Sequence, residues 1–397
     1  MVPKIRFKGF TDAWEQCKVK DVASFSKGSG YSKNDLQSTG CPIILYGRLY
    51  TRYETEIKNV DTFVEPKEGS VYSQGNEVIV PASGETAEDI SRASFVATKG
   101  IILGGDLNIV RPLHGLNPSF LALLISNGTA QKELSKMAQG KSVVHIHNSD
   151  IEKLNILFPS TQEQERISNI FNNLDALLTL HQRKYEQLST VKKSLLQKMF
   201  PNEGESVPEL RFAGFTDAWE QCKFGDVFEE YSEKKHEELP PLMVLQGVGT
   251  VKREDSERSL QYDKSNLSSY KLAKKDDFIL HLRSFEGGLE KVNCDGIVSP
   301  AYHLFHGEAT SSIFYYAFFR SKKFIEILLK PHVYGIRDGK SIDVEGMKTI
   351  QIPYPSLEEQ NKIGALLDKV NALLTLHQRK CDQLKAMKKS LLQKMFV

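Results

Sequence analysis

An α+β architecture is expected, with two similar mixed α/β domains separated by an antiparallel pair of long coiled-coil helices and related by an internal pseudo-two-fold. Three observations lead there. Residues 175–200 (DALLTLHQRKYEQLSTVKKSLLQKMF) return as residues 371–396 (NALLTLHQRKCDQLKAMKKSLLQKMF), with 20 of 26 positions identical. Residues 5–22 (IRFKGFTDAWEQCKVKDV) return as 210–227 (LRFAGFTDAWEQCKFGDV), with 14 of 18 identical. The sequence between these echoes is almost wholly different in the two halves. A shared frame around two unlike inserts fits one structural task performed twice and two separate recognition tasks.

The long helices rest on start signals and period. Both C-terminal segments open alike, Pro159-Ser160-Thr161-Gln162-Glu163 and Pro355-Ser356-Leu357-Glu358-Glu359. Each has the form of a capping box, with Ser160 and Ser356 taking the amide three residues on while Glu163 and Glu359 reach back to the cap. Apolar positions Ile167, Phe171, Leu174, Leu178, Tyr185, Leu188, Leu195 and Met199 then follow at alternating steps of three and four. The second copy supplies Ile363, Leu367, Val370, Leu374, Cys381, Leu384, Leu391 and Met395. A mean step of 3.5 over about five heptads favours a coiled-coil seam. His181, Lys192 and His377 are its polar members, and polar seam residues serve register more often than chemistry. Forty helical residues make a rod of about 60 Å. Two rods in one chain bury their seams most simply on each other, and duplication makes the pairing two-fold.

The expected division is 1–158 for the first insert domain, 159–200 for the first helix, 201–354 for the second insert domain and 355–397 for the second helix. The link 201–208 (PNEGESVP) is polar and bounded by prolines. In the first insert, β-rich runs at 42–46, 77–81, 100–103 and 107–111 precede a helix over 118–137. In the second, runs at 242–247, 277–282 and 301–305 precede a helix over 311–329. Gly-Lys-Ser recurs at 140–142 and 339–341, ahead of closing stretches at 151–158 and 347–354. The inserts are therefore expected to share a fold.

Composition narrows the class. The chain has 397 residues, 40% hydrophobic and 26% charged, which is ordinary for a globular protein of two to three domains. No apolar run reaches a membrane span, and the N-terminus has no signal-peptide core, so no membrane association is expected. Five cysteines without a CxxC pair suit a reducing cytoplasm. Residues 19–157 carry 14 Lys+Arg against 15 Asp+Glu, and residues 224–354 carry 18 against 20, so neither insert is globally basic. Contact with many phosphates would have to rest on local patches or on partner subunits.

The common catalytic constellations are missing. Ser135 and Tyr334 stand where a phosphate loop would need its first glycine. Gly28-Ser29-Gly30 lacks the third glycine of a dinucleotide fingerprint, and there is no Asn-Pro-Pro-aromatic tetrapeptide of amino-methyltransferases. Asp150, Glu152 and Lys153 lack nuclease spacing and read as turn charges. His145 and His147 alternate without a third ligand nearby. No metal site is expected, Cys17 and Cys222 read as packing residues, and Trp14 and Trp219 as core anchors.

The order Arg6, Phe7, Phe10, Trp14, then Gln164, Ile167 and Leu174, repeated as Arg211, Phe212, Phe215, Trp219, Gln360, Ile363 and Val370, resembles the specificity subunit of type I restriction-modification systems over the whole chain. The resemblance implies a non-catalytic DNA reader. Each insert would be a target recognition domain for one half of a bipartite, asymmetric site in double-stranded DNA, and the paired helices would set the spacer. It further implies docking of two methyltransferase (modification) subunits and two restriction (translocase and nuclease) subunits. S-adenosylmethionine, ATP and Mg would then reside in those partners and no cofactor in this chain. A coiled-coil scaffold with protein-binding inserts is the alternative from another class, consistent with near-neutral inserts, and a self-sufficient nuclease is disfavoured by the missing motifs.

Base reading favours Arg, Lys, Asn, Gln and Ser on exposed loops, with aromatics against sugars and methyl groups. The first insert offers Lys27, Ser29, Tyr31 and Lys33 in one loop, then Arg48, Tyr50, Arg52 and Tyr53, then Ser83, Arg92 and Lys141. The second offers Lys234, Lys235, Gln246, Lys252 and Arg253, then Arg283, Ser284, Tyr302, Arg337 and Lys340.

Overall fold

The computed structural model describes residues 3–113, 115–140, 143–202, 204–255, 264–281, 283–335 and 341–396. Two compact units emerge, one of residues 1–183 with 378–397 and the other of residues 184–377. Each unit contains one insert, and the division runs through the middle of both long helices, Thr161–Lys198 and Leu357–Met395.

In the first unit the strand Glu15–Lys18 pairs antiparallel with Asn155–Phe158, Cys17 opposite Ile156, tying the start of the repeat to the end of its insert. A five-stranded sheet follows in the order Ala23–Lys27, Leu107–Pro112, Glu77–Pro81, Ser94–Val96, Glu56–Ile57. Its pairings are antiparallel except the last. Glu77–Pro81 sits at the centre because Val78, Ile79 and Val80 bury both faces. Helix Pro118–Ile125, capped by the Asn117 side chain on the Phe120 amide at 3.0 Å, closes one face. A second sheet, Leu36–Gln37, Phe63–Val64, Cys41–Ile44, Lys99–Leu103, Tyr72–Gln74, forms an outer lobe.

The second unit repeats the frame ladder, Glu220–Lys223 against Gln351–Tyr354 with Cys222 opposite Ile352. Its sheet runs Glu229–Tyr231, His303–His306, Phe278–Leu280, Glu290–Lys291, the antiparallel order of the first four strands in the other unit. The filling is unlike. Val19 and Phe224 occupy the same frame position, both fully buried, and Phe224 opens a cluster with Phe228, Phe278, Phe305, Phe314, Phe319 and Tyr315. One strand order thus accommodates both an aliphatic and an aromatic core.

The expected insert helices are each broken in two. The stretch 118–137 forms Pro118–Ile125 and Gly128–Met137. Ser126 and Asn127 turn their side chains back to the Ala122 and Leu123 carbonyls at 2.7 Å, and Gly128 takes φ +66°. A Cβ on Gly128 would lie 3.0 Å from the Phe396 carbonyl oxygen, so the close approach to the second long helix requires glycine. The stretch 311–329 likewise divides into Ser312–Phe319 and a π-helical segment, Lys323–Leu329.

The expected return of Glu163 and Glu359 to their caps is not made. Ser356 does accept the Glu359 amide at 3.4 Å. The carboxylates turn instead to the repeated arginines, Arg6 to Glu163 at 2.7 and 2.7 Å and Arg211 to Glu359 at 2.7 and 2.8 Å. A forked guanidinium outcompetes one backbone amide for a buried carboxylate. Gln164 and Gln360, also buried, accept the amides of Asn117 and Ser311 and donate to the carbonyls of Pro159 and Pro355.

Within the first unit, Phe171 lies 5.9 Å from Phe396 while Asp175 binds Lys388, so advancing along one long helix retreats along the other and the pair is antiparallel. Ile167, Phe171, Leu174, Cys381 and Met395 are buried there, and Leu178, Leu384 and Leu391 half-buried. Within the second unit, Met199, Ile363, Leu367 and Val370 are buried, with Tyr185, Leu188, Leu195 and Leu374 half-buried. Trp14 and Trp219 sit in the two cores. Among the described residues no helix is long and apolar enough to cross a membrane.

Candidate nucleic-acid interface

Two patches, one per unit, gather part of the side chains singled out in the sequence, and both lie in the inserts rather than on the frame.

The first is assembled from four separate stretches. The helical turn Arg48–Thr51 carries Tyr50, whose hydroxyl donates to the Ser83 carbonyl at 2.7 Å. Tyr53 donates to the Ala93 carbonyl at 3.2 Å, and the Arg92 guanidinium lies 5.6 Å from both rings. Burial pushes the Tyr50 hydroxyl pKa well up, so it stays a donor. Ser83 belongs to a short ladder with Val144–His145, and its hydroxyl meets His145 Nδ1 at 3.1 Å. Tyr50, Tyr53, Ser83, Arg92 and His145 thus share one surface. His145 gave no usable signal in sequence, because its partner lies 62 residues away.

Other members have structural duties. Arg48 is spent on Asp61 at 2.6 Å and Glu54 at 2.8 Å, with 8% of its side chain exposed. Arg52 shares Asp61 at 2.6 Å but keeps 58% exposed beside the patch. In the preceding loop, Ser29 donates to the Leu103 carbonyl and accepts the Val71 amide. Tyr31 is buried, its hydroxyl 2.5 Å from Ser70 and accepting the Lys67 amide at 2.7 Å. Lys67 covers that ring and holds the Asp35 carboxyl down at about 2 through its hydrogen bond, with the Ser32 amide adding to the effect. Ser29 and Tyr31 therefore pin the loop, and Lys27 and Lys33 are its exposed charges. Lys141 lies outside the described residues.

The second patch centres on the hairpin Leu242–Leu245 and Gly249–Lys252. Buried Glu290 fixes its turn by accepting the Gly247 and Gly249 amides at 2.8 and 3.1 Å, while Tyr316 and Arg320 complete the carboxylate's shell. Gln246 is held exposed at the tip. Arg253 faces the Tyr270 ring at 6.0 Å, and Tyr302 lies against His281 at 6.2 Å. Burial, with Arg320 and Arg283 adding to it, holds His281 down at about 4, so this ring is neutral at physiological pH. Arg283 is exposed, whereas Ser284 is fully buried and accepts the His281 amide at 2.9 Å, which makes it a turn residue. Lys252 is partly exposed near Glu254, and Lys234 and Lys235 are exposed on a separate edge, where the Lys234 backbone pairs antiparallel with that of Lys271. Arg337 and Lys340 lie outside the described residues. Tyr270 and His281 were missed in sequence, where isolated aromatics carry no spacing signal.

Both patches set polar side chains beside aromatic faces on rigid supports, and in the first the Arg92 fork is itself held by the Asp89 carboxylate and the Asp89 and Leu49 carbonyls.

A family model described as the type I restriction modification DNA specificity domain matches residues 11–190 and 297–386. A protein of Methanocaldococcus jannaschii described as a type I restriction enzyme MjaX specificity subunit is 22% identical over 420 residues, covering 96% of this chain and 92% of that one. Among solved structures, a type I restriction-modification system S subunit from M. genitalium superposes with a TM-score of 0.64 over 100% of this chain and 99% of that one, at 16% identity, and so shares the fold.

Proposed function

The chain belongs to the type I restriction-modification DNA specificity family, and from that premise we propose how its parts divide the work. It is a DNA-recognition component, and each insert acts as a target recognition domain for one half of a split, asymmetric duplex site. The observation that carries this is the common strand order of the two inserts beneath two unrelated surface patches, Tyr50, Tyr53, Ser83 and Arg92 in one and Gln246, Arg253, Arg283 and Tyr302 in the other. Equal scaffolds bring each reader to its groove in the same way, and unequal patches read different bases.

The reader is non-catalytic. Two methyltransferase subunits dock on the repeated frame, where exposed Leu177 and Leu180 recur as exposed Leu373 and Leu376 although the seam does not need them. Two restriction subunits complete the assembly, and the partners carry S-adenosylmethionine, ATP and Mg. Near-neutral inserts are consistent with partners supplying much of the phosphate contact. The work is done on cytoplasmic DNA.

The paired helices act as the ruler. Deleting one heptad from each, residues 182–188 and 378–384, shortens each rod by about 10 Å, or about three base pairs. Mapping methylated sites in cells carrying the deletion is expected to show unchanged half-sites with a shorter spacer. An unaltered spacer would remove the ruler. The reader itself is tested by titrating the complex with its methyltransferase onto duplex DNA; affinity that ignores both sequence and salt would favour a protein scaffold instead.

A further inference from the structure

The hairpin Leu242–Leu245 with Gly249–Lys252 forms a two-stranded sheet of its own, and its root is fixed where Leu242 is buried in one cluster with Ala273, Ile279, Val298 and Leu304. Its tip is a tight turn. The Val248 amide donates to the Leu245 carbonyl at 3.0 Å, and Gly247 takes φ +85°, as the third position of a type II turn requires. Besides the hold of Glu290 on the Gly247 and Gly249 amides, Asn293 donates to the carbonyls of Val248 and Thr250 at 2.8 and 3.0 Å. The turn is therefore set before anything binds it.

Two side chains leave this rigid support. Gln246 is exposed, and its carboxamide is bonded by nothing among the described residues. Val248 is 55% exposed, an apolar side chain between two glycines at the outermost point of the turn. The tip from Leu245 to Gly249 carries no charge. The path of the Gln246 side chain depends on Gly287, in the helical turn Ser284–Gly287: a Cβ on Gly287 would lie 2.2 Å from Gln246 Nε2. Arg320 holds Gly287 in turn, donating to its carbonyl at 3.1 Å.

We propose that this tip enters the major groove and reads an A·T-containing step, with Gln246 bound to N6 and N7 of an adenine and Val248 packed on a neighbouring thymine methyl. The proposal rests on the reading of the second insert as a DNA-recognition domain, and it adds Val248 and the identity of the bases. The major groove admits a two-stranded ribbon, and a glutamine carboxamide can accept from adenine N6 while donating to N7. The thymine methyl is the apolar group of that groove, which suits an exposed valine. An uncharged tip has no ammonium or guanidinium for phosphates, so it fits base edges instead. Because the turn is already held, little ordering is lost on contact.

The test measures the affinity of the full chain, in complex with its methyltransferase subunit, for duplexes in which each base pair of the site is changed in turn. Gln246→Ala is expected to flatten the preference at one A·T pair by about tenfold and to leave the other pairs as they were. Gly287→Ala should flatten the same pair, since its Cβ displaces the carboxamide. Val248→Ala is expected to cost about fourfold on the natural duplex and nothing once deoxyuridine replaces the neighbouring thymine. An unchanged profile for Gln246→Ala, flattening at a G·C pair, or an equal loss on every duplex overturns the proposal. So does a loss confined to assembly with the methyltransferase subunit, which would make the tip a protein contact. If the unaltered complex shows preference in only one half of the site, the recognition reading of this insert fails and the proposal falls with it.

Discussion

Exchanging residues 224–353 for the insert of another family member is expected to rewrite one half of the DNA site while the other half and the spacer stay as they were. The exchange points lie at the edge of the frame ladder, where Glu220 pairs with Tyr354 and Cys222 with Ile352 through backbone groups indifferent to side chains. Each mismatched base pair costs about 1–3 kcal/mol, so a half-site of several base pairs shifts preference by about a thousandfold or more. Success has a packing condition. The incoming insert must present an aromatic or similarly large face to Phe200 and Trp219, as Phe314 does at 5.1 and 5.8 Å. Methylation maps made before and after the exchange decide the matter, and a change in both half-sites would sink the two-reader account.

Replacing Glu359 with alanine is expected to destabilise the second unit by about 3–5 kcal/mol, a large share of the roughly 5–15 kcal/mol that holds a domain folded. Glu359 is 1% exposed and Arg211 12% exposed, so removing the acid strands a mostly buried guanidinium. The Trp219 indole, which donates to Glu359 at 3.0 Å, is stranded with it. The paired substitution Arg211→Met with Glu359→Leu should recover much of the loss, because no charge is then left without a partner. Glu163→Ala removes the matching clamp to Arg6, and a smaller effect is expected there, since the Trp14 indole nitrogen makes no hydrogen bond to be lost. Urea unfolding of the three variants beside the unaltered chain provides the comparison. A Glu359→Ala loss below about 1 kcal/mol would show that the clamp is incidental to stability.

The clamp also explains why the repeated motifs at 5–22 and 210–227 look loose in sequence. Arg6 acts on a residue 157 positions away and Arg211 on one 148 positions away, so the motif is half of a device whose other half is the Glu of the Pro-Ser-x-x-Glu signal.

Duplication, the long helices with their seam spacing, and the shared family were determined by sequence alone, because internal identity and a 3.5-residue period are local properties that survive without knowledge of packing. The tertiary structure decided what depends on contacts between distant stretches. It broke the helix over 118–137 at Gly128, where the Phe396 backbone approaches, and it turned Glu163 and Glu359 away from their caps. It also withdrew Tyr31, Arg48 and Ser284 into internal bonds while drawing His145 to Ser83. Whether a polar side chain faces solvent or closes a turn is set by which strand folds over it, and no spacing along the chain encodes that.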